Sequence, residues 1–504
     1  MVAHVHTVAF TGLEGALVEV ETDNKQGLPG IQIVGMGSRA IDEARERVRS
    51  AIRNSLLSFP ARKITVNLAP AELPKEGAHF DLPIALSILI ASDQLRQTEV
   101  KGAIFAGELA LDGTLRPIRG AISIAETARR LGYTHLYVPE INAFQAALVK
   151  GVNVYGVQTI KQLYLHLKGE VLIPPAPQSA PTSRAPIHSL TLDDIQGQEH
   201  AKRALQIAVA GRHNVLLYGP PGAGKTMLAK ALASLLPPLS FDERLILTKI
   251  HSLTSNSDGR IITERPFRSP HHTTSTIALI GGGAKAHPGE ITLAHLGVLF
   301  LDELPEYSRS TLESLRQPLE DKTISIARAH GRITYPAGFM LVATMNPCPC
   351  GYYGDSNKEC TCSSIQILNY QKRLSGPLLD RIDLIIHVSK VPQNKLLMLN
   401  TLHKSQHHKV LERINCAIQQ QNKRYGSSTI YNASLSSSDV KKLLTISPTA
   451  RSLLEVASTR LDLTARSYFK ILKVAQTIAD LAKSPQIEAS HVSEALQFRG
   501  RAET

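Results

Sequence analysis

Tryptophan is absent from this 504-residue chain, and aromatic residues as a class make up only 5% of it. Cysteine is scarcer still, five in all, too few for a disulfide-stapled scaffold. No apolar run approaches the ~20 residues that a membrane-crossing helix needs, so no membrane partner is expected. The opening Met1-Val-Ala-His-Val-His has neither the basic start nor the apolar middle of a secretory leader, and the cytoplasm is the expected location. Acid is in deficit: 43 Asp and Glu stand against 56 Lys and Arg, a formal net charge of +13 that favours an anionic partner such as nucleic acid. Solenoid repeats and low-complexity tails are missing too. What is present, 43% apolar and 20% charged residues, is the composition of a globular protein long enough for two or three domains with their own cores.

The octapeptide Gly219-Pro220-Pro221-Gly222-Ala223-Gly224-Lys225-Thr226 lies directly behind the apolar run Val215–Tyr218 and ahead of the helical pattern Met227–Leu232. A buried strand feeding a glycine-rich loop that opens a helix is the arrangement of an ATP or GTP site. Its glycines let backbone N–H groups turn inward around the phosphates, Lys225 reaches the β and γ oxygens, and the Thr226 hydroxyl ligates Mg²⁺. A second apolar run, Gly297–Leu301, ends in Asp302-Glu303, the pattern of a buried parallel strand delivering two carboxylates at its C-terminal end. Asp302 is assigned to the Mg²⁺ shell and Glu303 to the water that attacks the γ-phosphate.

The clearest linker is the proline-rich stretch between Val171 and Pro186, which denies both helix and sheet partners. Before it, strand-like runs (Val5–Phe10, Ala16–Glu21, Ile64–Leu68, Gly102–Phe105, Tyr137–Pro139) alternate with helical patterns (Ser38–Asn54, Asp81–Ser92, Ala121–Leu131). The expected division is a first domain over 1–168, a linker over 169–190, an α/β nucleotide domain over 191–390 and a helical segment over 391–504.

Four of the five cysteines crowd one place. Cys348-Pro-Cys350 and Cys360-Thr-Cys362 are two C-x-C pairs nine residues apart. Four thiolates at this spacing close a tetrahedral Zn²⁺ site or stand as four reduced structural thiols, and both readings are open. Cys416 stands apart as a small core residue. Between the acidic strand end and the next apolar strand, Glu320–Tyr335 has two alternating runs around a small-residue turn, a β-hairpin. An insertion over Ser269–Gly283 carries His271-His272 without a complementary ligand pattern, and reads as a pore or interface loop.

With loop, acidic strand end and helical tail together, the chain resembles the AAA+ ATPases, and more narrowly the magnesium-chelatase-like ComM/YifB family. The likeness runs over the full length and is densest at Asp194–Ala204, Arg268–Ser275, Pro288–Glu303, Asn346–Gly351 and Ser375–Asp383. It implies ATP and Mg²⁺ as cofactors and a P-loop AAA+ core with a parallel sheet and a C-terminal helical lid. By the same resemblance, Asn346 is the sensor that contacts the γ-phosphate, and Arg381 is the arginine finger given to a neighbour's γ-phosphate. Arg466 is then the second sensor, carried on the lid. A finger acting in trans implies a ring, by family analogy a hexamer, closed by a repeated head-to-tail interface. Related machines aim a hairpin at this position into the ring's pore, which makes Lys322, Arg328, His330 and Arg332 candidates for contact with DNA phosphates.

Residues 64–122 are similar to the proteolytic domain of Lon, through Ile64–Gly77, Phe80–Ala85, Gly107–Gly113 and Pro117–Gly120. A Ser–Lys protease needs a hydroxyl activated by an amine. The serine position falls near His79 and the lysine near Ile122, so a Lon-like α/β fold without its catalytic dyad, and without peptidase activity, is expected. The resemblance implies an ATP-driven motor that promotes branch migration while single-stranded DNA is integrated during natural transformation. Its partners would be single-stranded and branched DNA, further copies of the chain and recombination proteins. The alternative is an ATP-dependent remodelling chaperone of the magnesium-chelatase type.

Overall fold

The computed structural model describes residues 2–35, 39–178, 190–254, 259–283, 287–328, 331–355, 358–391 and 406–499. Within the expected linker, 179–189 lie outside the described residues, as do 392–405 at the start of the helical segment and the hairpin candidate His330.

Seven strands form the first sheet: β1 (Ala3–Thr11), β2 (Glu14–Lys25), β3 (Gly30–Val34), β4 (Lys63–Ala69), β5 (Ala103–Phe105), β6 (His135–Pro139) and β7 (Asn153–Val157), in the spatial order β3-β4-β2-β1-β5-β6-β7. Strands β1, β2 and β4 pair antiparallel, whereas β5, β6 and β7 join in parallel. Sequence reasoning missed β3 and β7. Both are edge strands of only five residues, and in β3 the alternation of Ile31 and Ile33 is half-buried and too short to stand out from the surrounding loop sequence. Helices α1 (Arg39–Asn54), α2 (Asp81–Ala91) and α3 (Ala121–Arg130) pack on this sheet. Every α2 residue from Asp81 to Ile90 is buried, the mark of a helix apolar all round at a domain core.

His79 is the residue expected near the serine position of a Lon-type protease. It is buried, its Nε2 lies 3.0 Å from the Val8 carbonyl, and its ring is flanked by Phe10 and Phe80. Burial lowers its pKa to about 4 against the opposing hydrogen bond, so the ring is a neutral packing element. Ile122 is fully buried.

The second sheet has five strands, all in parallel. After α4 (Glu199–Gly211) come β8 (Val215–Tyr218), then α5 (Lys225–Ser234) and α6 (Phe241–Ser252), then β9 (Phe267–Arg268), β10 (Val298–Leu301), β13 (Met340–Met345) and β14 (Leu384–His387), ordered β9-β10-β13-β8-β14. Between β10 and β13 lie α7 (Arg316–Asp321) and an antiparallel hairpin of β11 (Thr323–Arg328) and β12 (Gly331–Pro336). Strands β10 and β13 are buried at every residue, which explains why Thr344 is the one polar side chain in the two of them. Asn214 stitches the sheet's lower edge: its side chain receives the Leu341 N–H and donates to the Arg381 carbonyl, while its own N–H donates to Asp383.

Helices α8 (Gln406–Tyr425), α9 (Pro448–Arg460), α10 (Ala465–Leu481) and α11 (Ala489–Gln497) share one hydrophobic core with α4, β8 and β14. Thr464 caps α10 by accepting the Ser467 N–H. Polar ties reinforce the seam: Gln421 donates to the Ala210 carbonyl, and Arg203 forks onto Glu494. Cys416, expected in the core, is only half-buried, because it lies beside rather than on the α8 face that carries Ile414 and Ala417.

The N-terminal sheet also touches the hairpin. Phe10 and Leu13, at the β1–β2 turn, pack with Leu253, Ile326, Ile333 and Tyr335. Lys249 pairs with Glu126 nearby, and the Gly120 N–H donates to the Ser252 carbonyl.

Candidate nucleotide site

Strand β8 lies between β13 and β14, so the loop that follows it emerges at the carboxyl edge of the sheet, where α/β proteins place ligands. Gly222 and Gly224 adopt φ of +77° and +88°, and neither would meet an atom within 4 Å if given a Cβ. The loop is thus left-handed and open on one side, which turns N–H groups toward an anion. Helix α5 begins at Lys225, adding its positive end.

Lys225 is held inside this loop. Its Nζ donates to the carbonyls of Gly219 and Pro220 at 2.6 and 2.9 Å and to Asn346 Oδ1 at 2.9 Å. Burial lowers the ammonium pKa to about 8, although Asp302 and Glu303 pull the other way. Thr226 Oγ1 stands 3.4 Å from Asp302 Oδ2. Two hard oxygen donors at the loop mouth suit Mg²⁺. Glu303, next along the chain, takes a left-handed backbone at φ 51°.

Thr344 was not anticipated. It interrupts the apolar β13 run, and its hydroxyl donates to Asp302 Oδ1 while accepting the Glu303 N–H at 2.9 Å. One side chain thereby orients the first carboxylate and supports the strained backbone of the second. The signal was a hydroxyl in an otherwise apolar strand. Gln198 was also missed: it reaches the carbonyls of Ala223 and Ser389, beside a cavity of about 250 Å³ lined by Ile195, Gln196, Gly197 and Lys202.

The two arginines sit apart from the loop. Arg381 donates from Nε to the Arg316 carbonyl, from Nη1 to the Pro377 carbonyl and from Nη2 to Glu320 on α7. Arg466 Nη2 lies 3.5 Å from the other Glu320 oxygen. Among the described residues, no hydrogen bond or ion pair joins either arginine to Lys225, Thr226, Asp302, Glu303 or Asn346. Arg381 holds the Glu320 carboxyl below its ordinary range, with Arg466 and Arg316 assisting.

The sulfurs of Cys348, Cys350, Cys360 and Cys362 all lie within 4.8 Å of one another. In the hairpin, Arg332 is exposed, the Arg328 backbone pairs with Gly331, and Lys322 stands at the base, within electrostatic reach of Asp383 and Lys473. The His271 and His272 rings are tilted at 35° with centres 4.0 Å apart, and His271 Nδ1 contacts Thr273.

A parallel five-stranded sheet with this loop, this acidic strand end and a helical domain behind it defines a P-loop ATPase-like protein of the AAA+ class. Three family profiles agree along the chain: magnesium chelatase, subunit ChlI, over 191–396; subunit ChlI of Mg-chelatase over 20–142; and magnesium chelatase, subunit ChlI C-terminal, over 404–499. The competence protein ComM of Haemophilus influenzae is 44% identical over 503 residues, 99% of this chain and 97% of that one. YifB of Escherichia coli is 43% identical over 98% of this chain and 96% of its own. The chain belongs to the magnesium-chelatase-like ComM/YifB family of AAA+ proteins. Lon protease 2 of Bacillus subtilis is similar over a shorter stretch, 32% identical across 145 residues, 27% of this chain and 26% of that one. No helix among the described residues is long and apolar enough to cross a membrane.

Proposed function

We propose that this protein hydrolyses ATP as a closed ring, by family analogy a hexamer, and converts hydrolysis into movement on DNA. In this reading it promotes branch migration as single-stranded DNA is integrated, with single-stranded and branched DNA, its own copies and recombination proteins as partners. One observation carries it: Lys225, Thr226, Asp302 and Asn346 converge at one loop, while Arg381 and Arg466 converge elsewhere, on Glu320. In this reading each loop is completed by Arg381 of another copy.

Lys225 grips the β and γ oxygens. Thr226 and Asp302 hold Mg²⁺, which when bound neutralises triphosphate charge. Glu303 orients the attacking water, Asn346 contacts the γ-phosphate, the neighbour's Arg381 stabilises the charge that builds on the departing phosphates, and Arg466 is the second sensor carried on the lid. The four cysteines hold Zn²⁺ in the same proposal. The net charge of +13 and the exposed Arg332 favour a polyanionic track. A relative bearing the name competence protein supports DNA as that track. The cytoplasm is the proposed location.

ATPase turnover with and without single-stranded or forked DNA, across a salt series, tests this. Stimulation that fades as salt rises supports a motor on a polyanion. Turnover indifferent to DNA would favour remodelling of a protein partner instead.

A further inference from the structure

The four-thiol cluster is built against the nucleotide loop. Asn346, which receives the Lys225 ammonium, lies two residues before Cys348, and Cys348 is fully buried. Gly351, in the turn after Cys350, has φ +86° and leaves no room for a side chain: a Cβ there would stand 2.7 Å from Cδ of Pro221, inside the phosphate loop. A third tie comes from Asp355, which pairs at 2.6 Å with Lys390, just past β14. Lys390 also lies over the Tyr352 ring.

The sulfurs themselves are arranged as a ligand shell. Cys348 to Cys350, Cys350 to Cys360 and Cys348 to Cys360 are 3.3, 3.5 and 3.6 Å apart. A tetrahedron with Zn–S bonds of about 2.3 Å has edges of about 3.8 Å, so these contacts need widen only slightly to seat the ion. Backbone N–H groups of Cys350 and Tyr353 point at the sulfurs of Cys362 and Cys348, at 3.4 and 3.3 Å, the supporting bonds that metal thiolates use.

We propose that Zn²⁺ in this cluster sets the grip of the neighbouring loop on the nucleotide. With metal bound, the Cys348–Gly351 turn is rigid, so Asn346 is fixed against Lys225 and Pro221 is buttressed by Gly351. Without metal, both supports slacken and triphosphate binding weakens. The inference rests on the reading of residues 219–226 as the triphosphate site.

Three preparations of the full chain test it: protein from zinc-replete cells, the same protein stripped with an organomercurial and desalted, and the stripped protein given Zn²⁺ and thiol. Each is measured for zinc per chain and for affinity toward a fluorescent ATP analogue. The expected result is about one zinc per chain, affinity about tenfold weaker on stripping, and recovery on reloading. Cys360→Ser should lose both metal and affinity, Cys416→Ser neither. Gly351→Ala should keep the metal yet bind nucleotide more weakly, separating the contact from the ion. Metal lost with affinity unchanged would overturn the coupling while leaving zinc in place, as would Gly351→Ala binding like wild type. Wild-type protein free of zinc would overturn the metal assignment and this inference with it. Failure of every preparation, zinc-loaded included, to bind the analogue would instead sink the nucleotide reading.

Discussion

Arg466 stands 3.5 Å from one oxygen of the Glu320 carboxylate, and the other oxygen of that carboxylate accepts a hydrogen bond from Arg381. Two cations that would repel are held as a pair by one acid. Arg381 is nearly covered, its side chain 9% exposed, whereas Arg466 is 43% exposed. If Arg381 serves a neighbour's triphosphate, Glu320 decides how it arrives. Glu320→Gln should lower kcat about tenfold to a hundredfold, the usual cost of misplaced catalytic groups, with nucleotide affinity unchanged. Glu320→Asp should recover part of the loss. Steady-state ATPase alongside analogue binding reads both, and a change confined to affinity would remove Glu320 from the chemistry.

Lys225 gives a pH dependence with a definite sign. Burial lowers its pKa to about 8 in the free site, and a bound triphosphate favours the charged form. Affinity should therefore be flat below about pH 8 and weaken as pH rises above it, with a proton taken up on binding. Calorimetry in buffers of differing ionisation enthalpy measures that proton directly. Binding that strengthens above pH 8 would contradict the assignment.

Thr344→Val keeps the shape of the side chain and deletes its hydroxyl. The Glu303 N–H then loses its acceptor and Asp302 loses a donor, at a cost of about 1–3 kcal/mol. Turnover should drop sharply while the melting temperature falls by no more than a few degrees, because the lost hydroxyl served one Asp302 oxygen and the Glu303 backbone N–H at the site. Equal losses in stability and activity would make Thr344 a plain structural residue.

Arg332, exposed on β12, is the described hairpin cation best presented to a strand of DNA. Arg332→Ala should leave basal ATPase intact, weaken DNA stimulation, and reduce the salt slope of DNA binding by about one. DNA stimulation equal to wild type would take the hairpin out of the account.

The strand, loop and helix of the candidate nucleotide site were legible because they are neighbours in the chain. The carboxylates at 302 and 303 were legible for the same reason, an apolar run with acids at its end. Roles for Asn346, Arg381 and Arg466 came only from the family likeness, since nothing local separates them from turn and surface residues. Thr344 went unread because its two bonds cross to another strand. Edge strands β3 and β7 were unread because each is only five residues long, too short a run for a period of two to stand out.

Local pattern thus determined the strand, loop and helix of the candidate nucleotide site, since backbone preference and burial act within a few residues. Only the tertiary structure decided that Glu320 would join arginines 61 and 146 residues away, that Thr344 would reach back 42 residues to Asp302, and that Gly351 would brace Pro221. Contacts of that kind depend on which elements the packed core brings side by side, and no stretch of chain carries that information alone.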